Sequence, residues 1–234
     1  MTFRIAAVLA VLGFFVVDSS AQAPAAPPPV PPDVSPLYVV TYIELKPTAR
    51  DDGAALVKAY REASQSSAGN LRALALQRQR RPGQFVLVSA WQNKAAWDGA
   101  AEGTKELREK LNSLRNAPAD DRFHNSLSVS RMEVPALGGA VYAVTHVDVI
   151  PPQRDNAVGA LKTLGEANRA APGNVHYDIV QQTNRPNHFT VFEMWRSRAD
   201  HEANSMSAHQ REFRDKLAQM TGALYDERLY ESID

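Results

Sequence analysis

Residues 38–45 ("YVVTYIEL") are apolar and β-branched, and they run into Pro47. Proline has no N–H for a central ladder, so a strand is predicted to end there. Residues 54–66 place Leu56, Val57, Tyr60 and Ala63 at helical spacing and predict an amphipathic helix. "AGN" and, farther on, "PGN" then break the pattern. Residues 71–79 and 85–91 flank "RRPG", while 175–183 and 189–195 flank "NRPNH". Both arrangements predict hairpins. Leu107, Leu111 and Leu114, and later Phe213, Leu217 and Met220, recur at i, i+4, i+7 and mark one face of a second helix. Last strands are predicted around 123–132 and 223–231.

The elements repeat because the sequence does. Displaced by 104 residues, "YVVTYIELKP" at Tyr38 falls on "YAVTHVDVIP" at Tyr142. Gly69 then meets Gly173, Arg81 meets Arg185, Phe85 meets Phe189 and Trp91 meets Trp195. After Trp97 the displacement becomes 106, so that "ELREKL" meets "EFRDKL". The chain is a duplication, with repeats at 38–134 and 140–234. Each reads βαββαβ, the ferredoxin-like plan of helices on one face of an antiparallel sheet.

Both faces of each predicted sheet are apolar. Phe85, Leu87 and Trp91 alternate with Val86, Val88 and Ala90; Phe189, Val191, Glu193 and Trp195 alternate with Thr190, Phe192 and Met194. A sheet of this kind leaves neither face in water. Helices cover one face, and the other repeat's sheet covers the second. The fold class is therefore α+β: two ferredoxin-like repeats packed sheet to sheet as one intramolecular α/β barrel. The set carrying Phe85, Leu87 and Trp91 is assigned to the contact between repeats; a sizeable interior cavity reached by Glu193 and His209 would point to a ligand site, and a filled interior to a shell that is only structural.

The first 37 residues follow other rules. Arg4 precedes an apolar run at 5–17, and "SSA" ends at Ala21. The run is short of the roughly 20 residues that span a bilayer. Residues 1–21 read as an export signal removed after Ala21, which implies a periplasmic or secreted protein with no membrane attachment after cleavage. Residues 22–37 are a proline-rich linker. The chain has no cysteine, so neither a lipid anchor on cysteine nor a disulfide is available. Basic and acidic residues balance at 26 each, which gives no reason to expect nucleic acid or an anionic membrane as partner.

The reactive side chains concentrate in the second repeat. "FTVFEMWRSRADHEANSMSAHQREF" carries Glu193, Trp195, His201 and His209. The matching first-repeat stretch keeps its aromatic residues but has Ser89 in place of Glu193 and no histidine over 92–122. Glu193 lies on an apolar face, where a carboxylate must find a donor or keep its proton. It is a candidate general base, or half of a structural ion pair. His209 is a candidate proton shuttle, or a hydrogen-bonded core histidine. Trp195 and Trp91 serve substrate stacking or packing, and Arg214 and Arg108 an oxyanion or solvent. His146, His176 and His188 stand where the first repeat has Tyr42, Arg72 and Gln84. No "HExxH", phosphate loop or "GxSxG" is present. The spacing of the histidines suggests no metal site and leaves an axial haem ligand open.

The run from Phe192 to Phe213 resembles the strand-to-helix signature of the antibiotic biosynthesis monooxygenase family: a tryptophan at the strand end, a histidine fourteen residues on, then an aromatic. Trp195 and His209 match it. The resemblance implies a fused pair of the family's ferredoxin-like protomers, whose members include cofactor-independent oxygenases of polycyclic phenols and quinols as well as haem-degrading enzymes. In the phenol-oxidising branch it implies roles for Trp195, His201 and Arg214, and in the first repeat for Trp91, Trp97 and Arg108. That branch also has an asparagine four residues before the tryptophan, where this chain has Leu87 and Val191. The expectation is an exported, cofactor-independent monooxygenase of a small aromatic phenol or quinol. The alternative is a non-catalytic binder of a quinone or haem. The assembly expected is a monomer holding a fused pseudo-dimer, with a homodimer left open.

Overall fold

The computed structural model describes residues 35–118 and 120–233. The predicted signal and residues 22–34 of the predicted linker lie outside them. The first repeat contains β1 (Leu37–Glu44), α1 (Arg50–Gln65), β2 (Asn70–Arg78), β3 (Gln84–Trp91), α2 (Lys94–Gly103), α3 (Lys105–Leu114) and β4 (Asp120–Ser128). The second contains β5 (Val141–Asp148), α4 (Arg154–Arg169), β6 (Asn174–Gln182), β7 (His188–Trp195), α5 (Arg198–Ser205), α6 (Ala208–Ala218) and β8 (Asp226–Ser232). None of these helices is long and apolar enough to cross a membrane.

Local chemistry sets the boundaries. Gly69 and Gly173 both have positive φ, and a side chain at Gly173 would collide with Asp200. The two "GN" turns therefore need glycine for conformation and for close approach. The predicted second helix is two helices in each repeat. Ser207 caps the start of α6, its hydroxyl accepting from the Gln210 N–H, while the Asn93 side chain accepts from Ala96 N at the start of α2. The apolar spacing located only α3 and α6. Strand β4 lies about three residues earlier than predicted. Beyond Ser128 the chain leaves the sheet and is held by Asp178, which accepts from Ser130 N at 2.7 Å.

All eight strands close into one barrel in the order β1-β3-β2-β8-β5-β7-β6-β4. Each last strand pairs with its own repeat's first strand and also with the other repeat. β4 joins β6, with His124 opposite Gln182, and β8 joins β2, with Gln77 opposite Glu231. Closure removes every free sheet edge.

The faces are the reverse of the prediction. Phe85 and Leu87 pack with Val57, Tyr60 and Leu111 beneath their own helices. Phe189 and Val191 pack with Leu161, Leu164, Phe213 and Leu217 in the same way. The barrel interior is filled by the alternate set: Val40, Leu76, Val86, Val88, Tyr142, Val144, Phe192, Met194 and Tyr230. Alternation then places Glu193 and Trp195 between sheet and helices, outside the barrel interior. The physical reason is that both faces are apolar and both take large side chains, Phe85 and Phe189 under the helices and Tyr142, Phe192 and Tyr230 inside the barrel, so side-chain type does not mark the layer that covers a face.

Polar groups also cross the barrel. Arg72 on β2 donates to Asp178 at 2.8 Å and lies 2.9 Å from His176, its own counterpart in the other repeat. Burial pushes the Asp178 carboxyl up, but the hydrogen bond to His176 and the Arg72 guanidinium outweigh it and hold the group below its usual value. His124 lies 3.0 Å from the Thr190 hydroxyl and, being buried, is pushed down to about 4. It stays neutral at ordinary pH.

Candidate functional site

Four strands and three helices of the second repeat enclose one polar cluster. β7 supplies Glu193 and Trp195, and its register sets Glu193 between Ala143 on β5 and Tyr177 on β6. β8 supplies Glu227, opposite Thr145. Helices α4, α5 and α6 bring Asn168, His201 and Arg214. The sequence pointed to Glu193, Trp195, His201 and Arg214. It did not point to Tyr177, Tyr225, Glu227, Thr145 or Asn168. The available signal was comparison of repeats, since Ala73 and Ser64 stand where Tyr177 and Asn168 do.

Glu193 is 2% exposed, and the Trp195 indole N–H donates to its Oε2 at 2.8 Å. Burial pushes its carboxyl up to about 8. The Trp195 hydrogen bond and, more weakly, Arg214 pull it down, while Glu227 pushes it further up. Buried carboxyls rise in this way because water no longer solvates the anion. Burial likewise raises the Tyr177 and Tyr225 hydroxyls, with Glu193 adding to both. These tyrosines stay protonated beside the carboxyl.

His201 is buried, with its ring edge-on to Trp195 at 6.2 Å and its Nε2 3.6 Å from Glu227 Oε1. Burial pushes the imidazole down, against an upward pull from Glu227. Arg214 is exposed; its guanidinium lies over the Tyr225 ring at 5.4 Å. His209 is placed differently. Its Nε2 lies 2.9 Å from Asn168 Oδ1, 3.1 Å from Asn204 Oδ1 and 3.1 Å from Ser207 Oγ. His209 touches the cluster only through Asn168, which lies beside the Tyr177 hydroxyl.

The first repeat builds a smaller version. Trp91 Nε1 donates to Ser89 Oγ at 2.9 Å, and Ser89 donates to the Val39 carbonyl. Arg108 donates to Asp121 at 2.8 Å and to the Tyr60 hydroxyl at 2.9 Å, under the Trp97 ring. Asp121 also accepts from Thr41. Arg108 and Asp121 there pair with each other. Trp91 and Arg108 therefore sit in a second cluster, separate from Glu193.

A cavity of about 890 Å³ lies elsewhere, beneath the connector between repeats, lined by residues that include Arg72, Leu74, Met132, Leu137 and Tyr142. It does not touch Glu193.

The fold recurs in solved structures. A candidate monooxygenase from Fusobacterium nucleatum superposes with a TM-score of 0.77 over 86% of this chain and 94% of its own, at 12% identity. A candidate monooxygenase from Lactobacillus acidophilus gives 0.70 over 85% and 94%, at 13% identity. An anthrone oxidase-like protein gives 0.66 over 86% and 93%, at 12% identity. At such identities the likeness concerns the fold alone. No curated protein matches the sequence significantly. The model of one family matches twice, over residues 36–108 and again over 140–216, so the chain belongs to the antibiotic biosynthesis monooxygenase family, with two of its domains in tandem.

Proposed function

We propose that the chain is a monooxygenase that oxidises a small aromatic phenol or quinol without a bound cofactor, with Glu193 as the proton acceptor. One observation carries this reading. In the first repeat a serine, Ser89, accepts the same tryptophan N–H that Glu193 accepts in the second. The structural task therefore needs only a hydroxyl. Glu193 places a carboxyl there at a desolvation cost that serine avoids. A carboxyl raised to about 8 is matched to removing a proton near neutral pH.

The chemistry asks little more of the protein. Deprotonated Glu193 takes the phenolic proton, and the electron-rich anion itself reduces oxygen. For an anthrone-like substrate, the ring CH₂ becomes C=O. One oxygen atom enters the product, and the other leaves as water with the two hydrogens. Arg214, whose charge reaches Glu193, balances the anion. His201 stands edge-on to Trp195 as the second group able to accept a proton. His209, held by Asn168, Asn204 and Ser207, contacts the cluster only through Asn168. Trp91 and Arg108, engaged with Ser89 and Asp121, take no part. Since Glu193 is 2% exposed, substrate reaches it only after the packing over it opens.

Oxygen uptake by the full mature chain with a panel of anthrones and quinols tests the reading. Glu193→Gln lowers turnover by about 100-fold or more, Ser89→Ala leaves it unchanged, and the wild-type rate rises as pH passes through about 8. Equal losses from both substitutions would sink the assignment. Quinone binding without oxygen uptake would favour the non-catalytic reading.

Export belongs to the same proposal and rests on Arg4, the apolar run at 5–17 and "SSA". Mass spectrometry of the protein from its native cell finds a chain starting at Gln22, in the periplasm or medium. An intact Met1 in the cytoplasm would overturn export.

A further inference from the structure

One mouth of the barrel gathers three side chains that the oxygenase reading does not use. His146 and Asp148 close β5, and His188 opens β7 directly opposite Asp148. Alternation turns all three toward the barrel interior, in line with Val144 and Phe192. They are therefore on the opposite face of the sheet from Glu193.

Their geometry is that of a ligand set. His146 Nε2 lies 2.8 Å from Asp148 Oδ1, His188 Nδ1 lies 2.6 Å from the same oxygen, and the two nitrogens are 3.5 Å apart. All three ligand atoms lie within 4.8 Å of one another. Metal–ligand bonds of about 2.0–2.2 Å, at angles between octahedral and tetrahedral, hold neighbouring ligand atoms roughly 3.0–3.4 Å apart. The observed spacings bracket that range, so small side-chain rotations bring all three onto one ion.

The second observation is electronic. Asp148 Oδ1 is buried with His146 Nε2 at 2.8 Å and His188 Nδ1 at 2.6 Å, and neither ring presents a well-aligned N–H to it. Buried polar atoms in such a state call for an explanation, and an ion is one.

We propose that His146, Asp148 and His188 bind one divalent transition-metal ion of the zinc, nickel or cobalt class, leaving its remaining positions to water or a small ligand. Two imidazoles and one carboxylate suit that class, whereas calcium and magnesium prefer oxygen alone. Around them, Arg122 and Arg185 oppose a cation and Asp226 favours one. Arg122 is itself engaged by Asp120 through three hydrogen bonds. The site occurs once per chain, because the first repeat has Tyr42, Glu44 and Gln84 at these positions.

The test uses the untagged full chain, freed of metal by chelation. Calorimetric titration with Zn²⁺ gives one ion per chain. Co²⁺ produces visible absorption bands from nitrogen and oxygen ligands, and Zn²⁺ raises the melting temperature. His188→Gln and Asp148→Asn each weaken binding by at least about 100-fold, beyond what loss of an outer partner costs, while His209→Gln retains it. No stoichiometric binding by the wild type, or binding unchanged in both ligand variants, would overturn the site. Should either variant fail to fold, the wild-type stoichiometry and Co²⁺ spectrum decide alone. Oxygen uptake is not a readout here, so failure of this site leaves the assignment of Glu193 untouched.

Discussion

Expressed alone, residues 36–132 form dimers or aggregates and no folded monomer. Cutting the chain there exposes the barrel-facing side chains Val40, Leu76, Val86 and Val88, all now buried. Burying one such side chain is worth about 1.5–3 kcal/mol, so the four account for roughly 6–12 kcal/mol. That is comparable with the roughly 5–15 kcal/mol by which a whole domain is stable. The cut also frees β4 from β6 and β2 from β8, leaving two unpaired edges. Two copies of the fragment can rebuild the barrel; one cannot. Size-exclusion chromatography with light scattering, beside urea unfolding, checks this outcome. A monomer with one cooperative transition would show that the repeats do not share a core.

Replacing Glu193 with glutamine changes how stability depends on pH. The carboxyl titrates near 4.5 in the unfolded chain and near 8 in the folded one. Below the first value both states are protonated and nothing is lost. Between the two values the unfolded chain has released a proton that the folded chain keeps, so rising pH favours unfolding. The slope is about 1.4 kcal/mol per pH unit, and above about 8 the full penalty is in place. The glutamine side chain has no proton to lose, so the difference between variant and wild type isolates this one group. Denaturant unfolding of both at pH 5, 6.5 and 8 shows the glutamine variant gaining several kcal/mol relative to wild type as pH rises. Parallel curves would mean that Glu193 is not held protonated. The histidines titrate in both proteins and cancel.

The duplication, the hairpins and the barrel were legible because they rest on local signals that occur twice. The "GN" turns need glycine at positive φ, and Trp91 and Trp195 end matching strands. The orientation of the sheets was not legible. Leu87 and Val88 are equally apolar neighbours on opposite faces, and only the helices decide which is covered by which layer. Glu193 with Trp195 was readable from an i, i+2 spacing on one strand. Tyr177, Glu227 and Asn168 were not, since each arrives on a different element. His209 shares a helical face with Phe213, yet its partner is Asn168 and not the carboxyl. His146, Asp148 and His188 meet only through the pairing of β5 with β7, which no spacing along the chain displays.

The central claim is that the second repeat holds a proton-accepting carboxyl where the first holds a hydroxyl. The most direct measurement is an infrared titration of the full mature chain, following the carboxylic C=O band with Glu193→Gln as the blank. The account predicts one band, absent from the variant, that disappears with a midpoint near pH 8. A band that has already vanished near pH 4.5, the ordinary value for glutamate, would contradict it.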